Sequence, residues 1–154
     1  MADATATEAL FYHLEQKPLD EVLPALVEKT LERGWRAVIQ AGSRERVEAL
    51  DTLLWTFRDD SFLPHGVAGE GQPADHPVIL TTADDNPNGA TVRFCVDGAD
   101  CQSFTGYQRI VYLFDGRDGD ALVRARAAWK RAVAQGSAAT YWQQNDTGRW
   151  ERKA

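Results

Sequence analysis

The segment DGDALVRARAAWKRAVAQGSAATYWQQ, residues 118–144, decides the fold class of this chain. Its first part predicts a helix from Asp118 to Gly136, and Ala138 to Gln144 then predicts a strand. At about 100° per residue, the apolar side chains of the helix fall within one arc of roughly 100°. We expect this arc to face the core; it contains Leu122, Ala125, Trp129, Ala132 and Val133.

The basic residues of the predicted helix form two sets. Arg126 and Lys130 lie beside the apolar arc, whereas Arg124 and Arg131 lie roughly opposite it, where a cation is normally solvated. A positive pair at positions i and i+4 on the rim of an apolar surface suits a peptide with an acidic stretch and a terminal hydrophobic residue. The pattern therefore indicates a peptide-binding surface.

Upstream of this segment, strand-like and helix-like stretches alternate, which predicts a three-layer α/β/α sandwich with a largely parallel, Rossmann-like sheet. A chain of 154 residues is too short for two well-formed domains, so we expect one domain over residues 1–154, with residues 1–8 flexible. The expected strands are 9–14, 35–40, 77–81, 91–96 and 109–114, and the other expected helices run from about 18 to 33 and from 43 to 54.

Composition excludes several classes of protein. Hydrophobic residues make up 44% of the chain and charged residues 26%, which are ordinary globular values. No apolar run is long enough to span a bilayer and no signal peptide is visible, so we expect a cytoplasmic protein without a membrane partner. A net charge of −6 argues against coating nucleic acid, so any contact with DNA is expected to be indirect. Cys95 and Cys101 are expected to be reduced thiols.

The sequence lacks the motifs of common enzymes. The turn Ala41-Gly42-Ser43 has neither the G-x-G-x-x-G pattern of dinucleotide sites nor a phosphate loop. The three histidines show no metal-ligand spacing, and the aspartates lie in turns that favour Asp for backbone hydrogen bonding. We therefore expect no catalytic residue, no metal and no cofactor.

A second group of large apolar residues surrounds a predicted helix end and the loop after it, at Trp55, Phe57 and Phe62, followed by Leu63 and Pro64. Rings in a long loop either anchor the loop to its own core or bind a partner. Aromatic residues dominate both settings, so the pattern by itself leaves both possibilities open.

Several strings closely resemble the chi subunit family of bacterial DNA polymerase III, and the similarity runs from about Ala9 to Trp150. The most specific are the W-x-F-x-x-x-S-F-x-P-H-G stretch, which begins at Trp55, and the A-R-x-x-W-K helix, which begins at Ala125. The full set is FYHLE (11–15), LPALVEKTLERGWRAVIQ (23–40), LDTLLWTFRDDSFLPHG (50–66), FDG (114–116), ARAAWK (125–130) and YWQQ (141–144).

The resemblance implies a non-catalytic accessory subunit of the clamp-loader assembly. Proteins of this family pair with the psi subunit, expected here as a 1:1 complex, and bind the acidic C-terminal tail of single-stranded DNA-binding protein during DNA replication. The resemblance assigns the tail contact to Arg126, Lys130, Thr140 and Tyr141, and Trp129 of the apolar arc is expected to belong to the same site. It assigns the psi contact to Trp55, Phe57, Phe62, Leu63 and Pro64. Residues 145–154 form a C-terminal extension beyond the point where some relatives stop.

Two other interpretations are open at this stage. Family members can exchange partners through one surface, so the chain could be an adaptor for a DNA-repair helicase in place of psi. The second alternative, a small nucleotide-binding α/β enzyme, is disfavoured by the missing phosphate loop.

Overall fold

One sheet organises the part of the chain that the computed structural model describes, residues 7–57 and 63–154. Its strand order is β3-β4-β2-β5-β6-β1-β7-β8, and every neighbouring pair is parallel except β7 with β8. The strands are β1 (Glu8–Leu14), β2 (Ala37–Gln40), β3 (Gly66–Val67), β4 (Val78–Thr81), β5 (Val92–Cys95), β6 (Arg109–Asp115), β7 (Ala138–Gln144) and β8 (Trp150–Arg152). The helices are α1 (Leu19–Glu32), α2 (Arg44–Thr56) and α3 (Gly119–Ala134), and Pro73–Asp75 forms a short 3-10 turn.

The helices cover both faces of the sheet. Side chains of α1 and α2 pack in one cluster with Ile39 and Leu80, whereas α3 packs in another cluster with Phe11 and Tyr112. Successive side chains of a strand point to opposite faces, which places Phe11 under α3 and its neighbour Tyr12 on the side of α1. The expected three-layer α/β/α sandwich with a mostly parallel sheet is confirmed.

Two strands have no counterpart in the sequence prediction. β3 has only two residues and pairs with β4 at one edge of the sheet. β8 lies in the segment after β7 and pairs with it antiparallel, with Trp142 opposite Arg152. At the other end of the chain, Glu8 already belongs to β1. β3 and β8 are too short to show the alternation over four or more residues by which a strand is recognised in a sequence.

The buried face of α3 differs from the predicted arc. The buried residues are all alanines, at positions 121, 125, 128 and 132, while Leu122 and Trp129 are only half-buried and Val133 is 55% exposed. Small side chains let the helix backbone approach the sheet closely, so they occupy the line of contact and the larger apolar residues lie along one flank. The predicted inward position of Val133 was therefore wrong.

The prediction that Arg124 and Arg131 are solvated holds for Arg124, which is exposed, but is wrong for Arg131. Arg131 forms an ion pair with Asp100, and its side chain is only 25% exposed. The guanidinium of Arg124 lies over Gly98, with its Nε 3.6 Å from the position that a Cβ would occupy there. Both cations thus flank the buried alanine face on the side of the loop after β5.

Candidate protein-binding site

The flank of α3 that carries the larger apolar residues meets β7 and forms an aromatic rim. β7 lies beside β1 with Tyr141 in register with Phe11, so both rings lie on the α3 face of the sheet. The ring of Trp129 has its centroid 5.4 Å from that of Phe11 and 6.3 Å from that of Tyr141. Trp129 and Tyr141, predicted separately on a helix and a strand, are therefore neighbours.

A positive charge lies beside this rim. Burial raises the pKa of the Tyr141 phenol, and the Arg126 guanidinium opposes that rise because a nearby cation favours the phenolate. Arg126 is exposed, and so is Lys130 one turn later. Neither forms an ion pair with any other residue that the structure describes. Around the helix axis, Arg126 lies about 130° and Lys130 about 170° from the centre of the buried alanine face. Lys130 therefore projects outward and is not on the immediate rim.

Thr140 is a second member of the predicted tail site that does not lie on the rim. Because side chains alternate along a strand, Thr140 lies on the opposite face of the sheet from Tyr141. Its hydroxyl oxygen accepts a hydrogen bond of 2.9 Å from the indole Nε1 of Trp142. The Thr140 side chain is consequently not part of the surface formed by Arg126, Trp129 and Tyr141.

Two residues that the sequence prediction did not include complete the rim. The ring of Phe114, at the end of β6, lies 5.9 Å from that of Tyr141, and the buried His13 of β1 contacts both rings. FYHLE and FDG were recognised as family strings, but the pattern of each string does not show that their side chains converge on Tyr141. Only the parallel pairing of β6, β1 and β7 brings them together.

The predicted psi surface lies elsewhere, at the end of α2. Trp55 is 48% exposed, and its ring lies 4.5 Å from that of the buried His65. The Nε2 of His65 lies 2.9 Å from a carboxylate oxygen of Asp51, and its Nδ1 donates to the Leu63 carbonyl at 2.6 Å. His65 therefore fixes the chain after the loop against α2, and Trp55 presents its outer side to solvent.

The remaining predicted psi contacts divide between core and surface. Leu63 is 3% exposed and packs in the cluster beneath α1 and α2, and Phe57 is half-buried against the same cluster. Pro64 is exposed, whereas Phe62 lies outside the described residues. Leu63 is thus an anchor of its own loop, whereas Trp55 and Pro64 are the exposed members of this set among the described residues.

A cavity of about 600 Å³ lies at the carboxyl ends of β1, β5 and β6, between the first turns of α1 and α3. Ligands of open parallel sheets usually bind at this edge. Two of its four lining cations are in ion pairs, since Arg46 pairs with Asp97 at 2.9 Å and Arg117 pairs with Asp115 at 3.3 Å.

Several backbone donors at this edge already have partners. The amide oxygen of the buried Gln144 accepts hydrogen bonds from three consecutive backbone N–H groups, those of Glu15, Gln16 and Lys17. At the start of α3, the Asp118 carboxylate accepts from the N–H groups of Asp120 and Ala121, which also places a negative charge there. A helix start capped in this way repels a phosphate, which disfavours the nucleotide-binding alternative.

The thiols have no features of nucleophiles. Burial raises the pKa of Cys95 well above its ordinary value and raises that of Cys101 to about 12, so both are protonated at neutral pH. Among residues 7–57 and 63–154, no cluster of three His, Cys, Asp or Glu side chains could hold a metal ion. In the same part of the chain, each helix is too short or too polar to cross a membrane.

Comparison with known proteins gives a consistent assignment. The family profile described as DNA polymerase III chi subunit, HolC, matches residues 6–140. The chain is 27% identical over 103 residues to a protein of Rickettsia prowazekii (strain Madrid E) described as a probable DNA polymerase III subunit chi. This second match covers 67% of the chain but only 62% of that relative. Since the profile spans most of the sequence, including the aromatic stretch and α3, the chain belongs to the DNA polymerase III chi subunit family.

Proposed function

We propose that this chi-family chain is a non-catalytic accessory subunit that binds the acidic C-terminal tail of single-stranded DNA-binding protein. The observation that carries the proposal is the position of Arg126 beside the Trp129–Tyr141 rim, with Lys130 one turn later and neither cation in an ion pair with the described residues. A tail that ends in a hydrophobic residue after an acidic stretch needs these features: a guanidinium for its carboxylate, a further cation for its acidic residues, and an apolar surface for its ring.

The second part of the proposal concerns the link to the polymerase. The half-exposed Trp55 and the exposed Pro64 form a surface that is separate from the α3 rim, and this surface is proposed to bind psi. One molecule could then contact the clamp loader through psi and the tail through α3 at the same time. Such a chain would act in the cytoplasm during DNA replication, and its contact with DNA would be indirect.

Calorimetric titration tests the tail contact directly. The purified chain is titrated with a peptide that ends in acidic residues, proline and phenylalanine, and with the same peptide carrying a C-terminal amide. Saturable 1:1 binding of the free acid is expected, and the amide should bind more weakly because it removes the negative charge that Arg126 meets. Equal affinity for both peptides would refute the proposed role of the terminal carboxylate.

Copurification distinguishes the proposed partner from the helicase alternative. The chain, isolated from cells under mild conditions, should carry psi and the clamp-loader subunits. Recovery of a repair helicase without clamp-loader subunits would favour the adaptor interpretation instead.

A further inference from the structure

His13 lies directly beneath the ring that completes the proposed tail site. It is 8% exposed, and its Nδ1 lies 2.7 Å from the Tyr141 hydroxyl. On its other side, its Nε2 lies 3.1 Å from a carboxylate oxygen of Glu15. The ring centroid is 5.5 Å from that of Phe114 and 5.8 Å from that of Tyr141, so aromatic neighbours enclose the imidazole.

The partners of His13 determine the direction of these hydrogen bonds in the neutral ring. The Glu15 carboxylate can only accept, so the proton of the imidazole is on Nε2. Nδ1 then has a lone pair and accepts the hydroxyl proton of Tyr141. Glu15 is held in turn by Gln143, whose Nε2 donates to the same carboxylate oxygen at 3.1 Å. The chain of hydrogen bonds from Tyr141 through His13 to Glu15 has one consistent direction.

Gly116 provides the space for the imidazole. A Cβ at this position, in the turn after β6, would lie 1.8 Å from the Nε2 of His13. A larger residue would displace the ring and with it the acceptor for Tyr141. The glycine of the FDG string is therefore explained by the close approach of His13.

We propose that His13 is a positioning residue of the tail site, which fixes the Tyr141 ring beside Trp129 and Arg126 before the peptide binds. This inference rests on the proposed function. If the Tyr141 ring became ordered only when the peptide binds, the conformational entropy lost would reduce the affinity. A ring that is already ordered before binding avoids this cost. Losing one neutral hydrogen bond that orders the ring corresponds to about a five-fold loss of affinity.

Two substitutions of similar polarity separate positioning from general stability. His13→Asn places an amide oxygen at the site of Nδ1 and retains an acceptor for Tyr141, whereas His13→Gln places its amide near Nε2 and retains only the contact with Glu15. Tail affinity should stay within about twofold for H13N and fall about five-fold for H13Q. Equal affinities of wild type and H13Q would overturn the proposal.

Tyr141→Phe provides the second variant and leaves β1 unchanged. It retains the ring and removes the hydroxyl, so it should lose about as much affinity as H13Q, and the double variant should lose little more. Additive losses in the double variant would contradict a role of His13 through Tyr141. Thermal melting of each variant checks that the measured chains are folded.

The Tyr141 hydroxyl proton gives a measurement without peptide. In NMR spectra it should be protected from exchange in wild type and H13N and unprotected in H13Q. If the wild-type chain binds no tail peptide, the proposed function fails and the positioning role fails with it. If wild type binds and R126A weakens binding while H13Q has no effect, only the inference about His13 fails.

Discussion

Replacing Arg126 with alanine is the sharpest test of the proposed tail site. The guanidinium lies beside Tyr141 and has no ion-pair partner among the described residues, so its removal should leave no buried charge behind. A hydrogen bond to a charged group contributes about 1.5–3 kcal/mol, and exposure to solvent favours the lower end of that range. At about 1.4 kcal/mol per decade, R126A should weaken tail binding by roughly 10-fold, and by no more than about 100-fold.

The assay is calorimetric titration of each variant with the acidic peptide, with folding checked by thermal melting. Arg124→Ala is the matched control, because Arg124 lies on the other flank of the same helix over Gly98; its effect should be less than about threefold. Arg131→Ala, which the sequence alone suggested as an equivalent control, would break the ion pair with Asp100 and alter stability.

Added salt should weaken binding of the wild-type chain, because the attraction is between charges that are open to water. The effect of salt should be smaller for R126A. Equal losses for R124A and R126A, or an affinity that is indifferent to both Arg126 and Lys130, would refute this location of the site.

Four further predictions concern the rest of the molecule. Trp55→Ala should abolish binding to psi but cost less than the roughly 3–5 kcal/mol of a core tryptophan, since half of the side chain is exposed; a large fall in melting temperature with normal psi binding would indicate a core role instead. Gln144→Ala leaves three backbone N–H groups without their acceptor and should lower the free energy of unfolding by about 1–3 kcal/mol in urea melts, more than Gln143→Ala, which removes one hydrogen bond to Glu15. Burial raises the pKa of Cys101 from 9.0 to about 12, so the thiol of the unfolded chain ionises first as the pH rises. The stabilisation from the protonated thiol should be fully present below pH 9 and lost as the pH rises toward 12. In urea melts, the free energy of unfolding of Cys101→Ala should therefore fall less over this pH range. The isolated chain should show no ATPase, nuclease or polymerase turnover, and turnover that copurifies with it and disappears on substitution of Asp115 or His65 would overturn this.

The sequence was sufficient for the order and type of the main elements. Strand-like runs such as 109–114 and the helical period of 118–136 are local patterns, and the structure places β6 and α3 there with ends shifted by a few residues. The family assignment was also available from contiguous strings, and the family profile confirms it. Helical and strand periodicity and the family strings depend only on residues that are close together in the chain, so they can be recognised in the sequence.

The sequence identified the buried side of α3 only in part, since Ala125 and Ala132 of the predicted arc are buried but its larger members are not. Hydrophobicity predicted that the larger residues Leu122, Trp129 and Val133 would face the sheet, but the alanines are the residues that pack against it. The buried side of a helix is set by how closely its backbone approaches the partner surface, and that distance depends on the shape of the sheet. For the same reason, the ion pair of Arg131 with Asp100 could not be anticipated.

The contact between His13 and Tyr141 was decided by tertiary structure alone. These residues are 128 positions apart and meet because β7 pairs parallel to β1 in one register. A shift of one residue would turn Tyr141 to the other face, where Thr140 and Trp142 now lie. Gln144 likewise meets the backbone of residues 15–17 only through this pairing. Sequence thus determined the class of the fold and the cations of the proposed site, whereas strand register determined which side chains surround them.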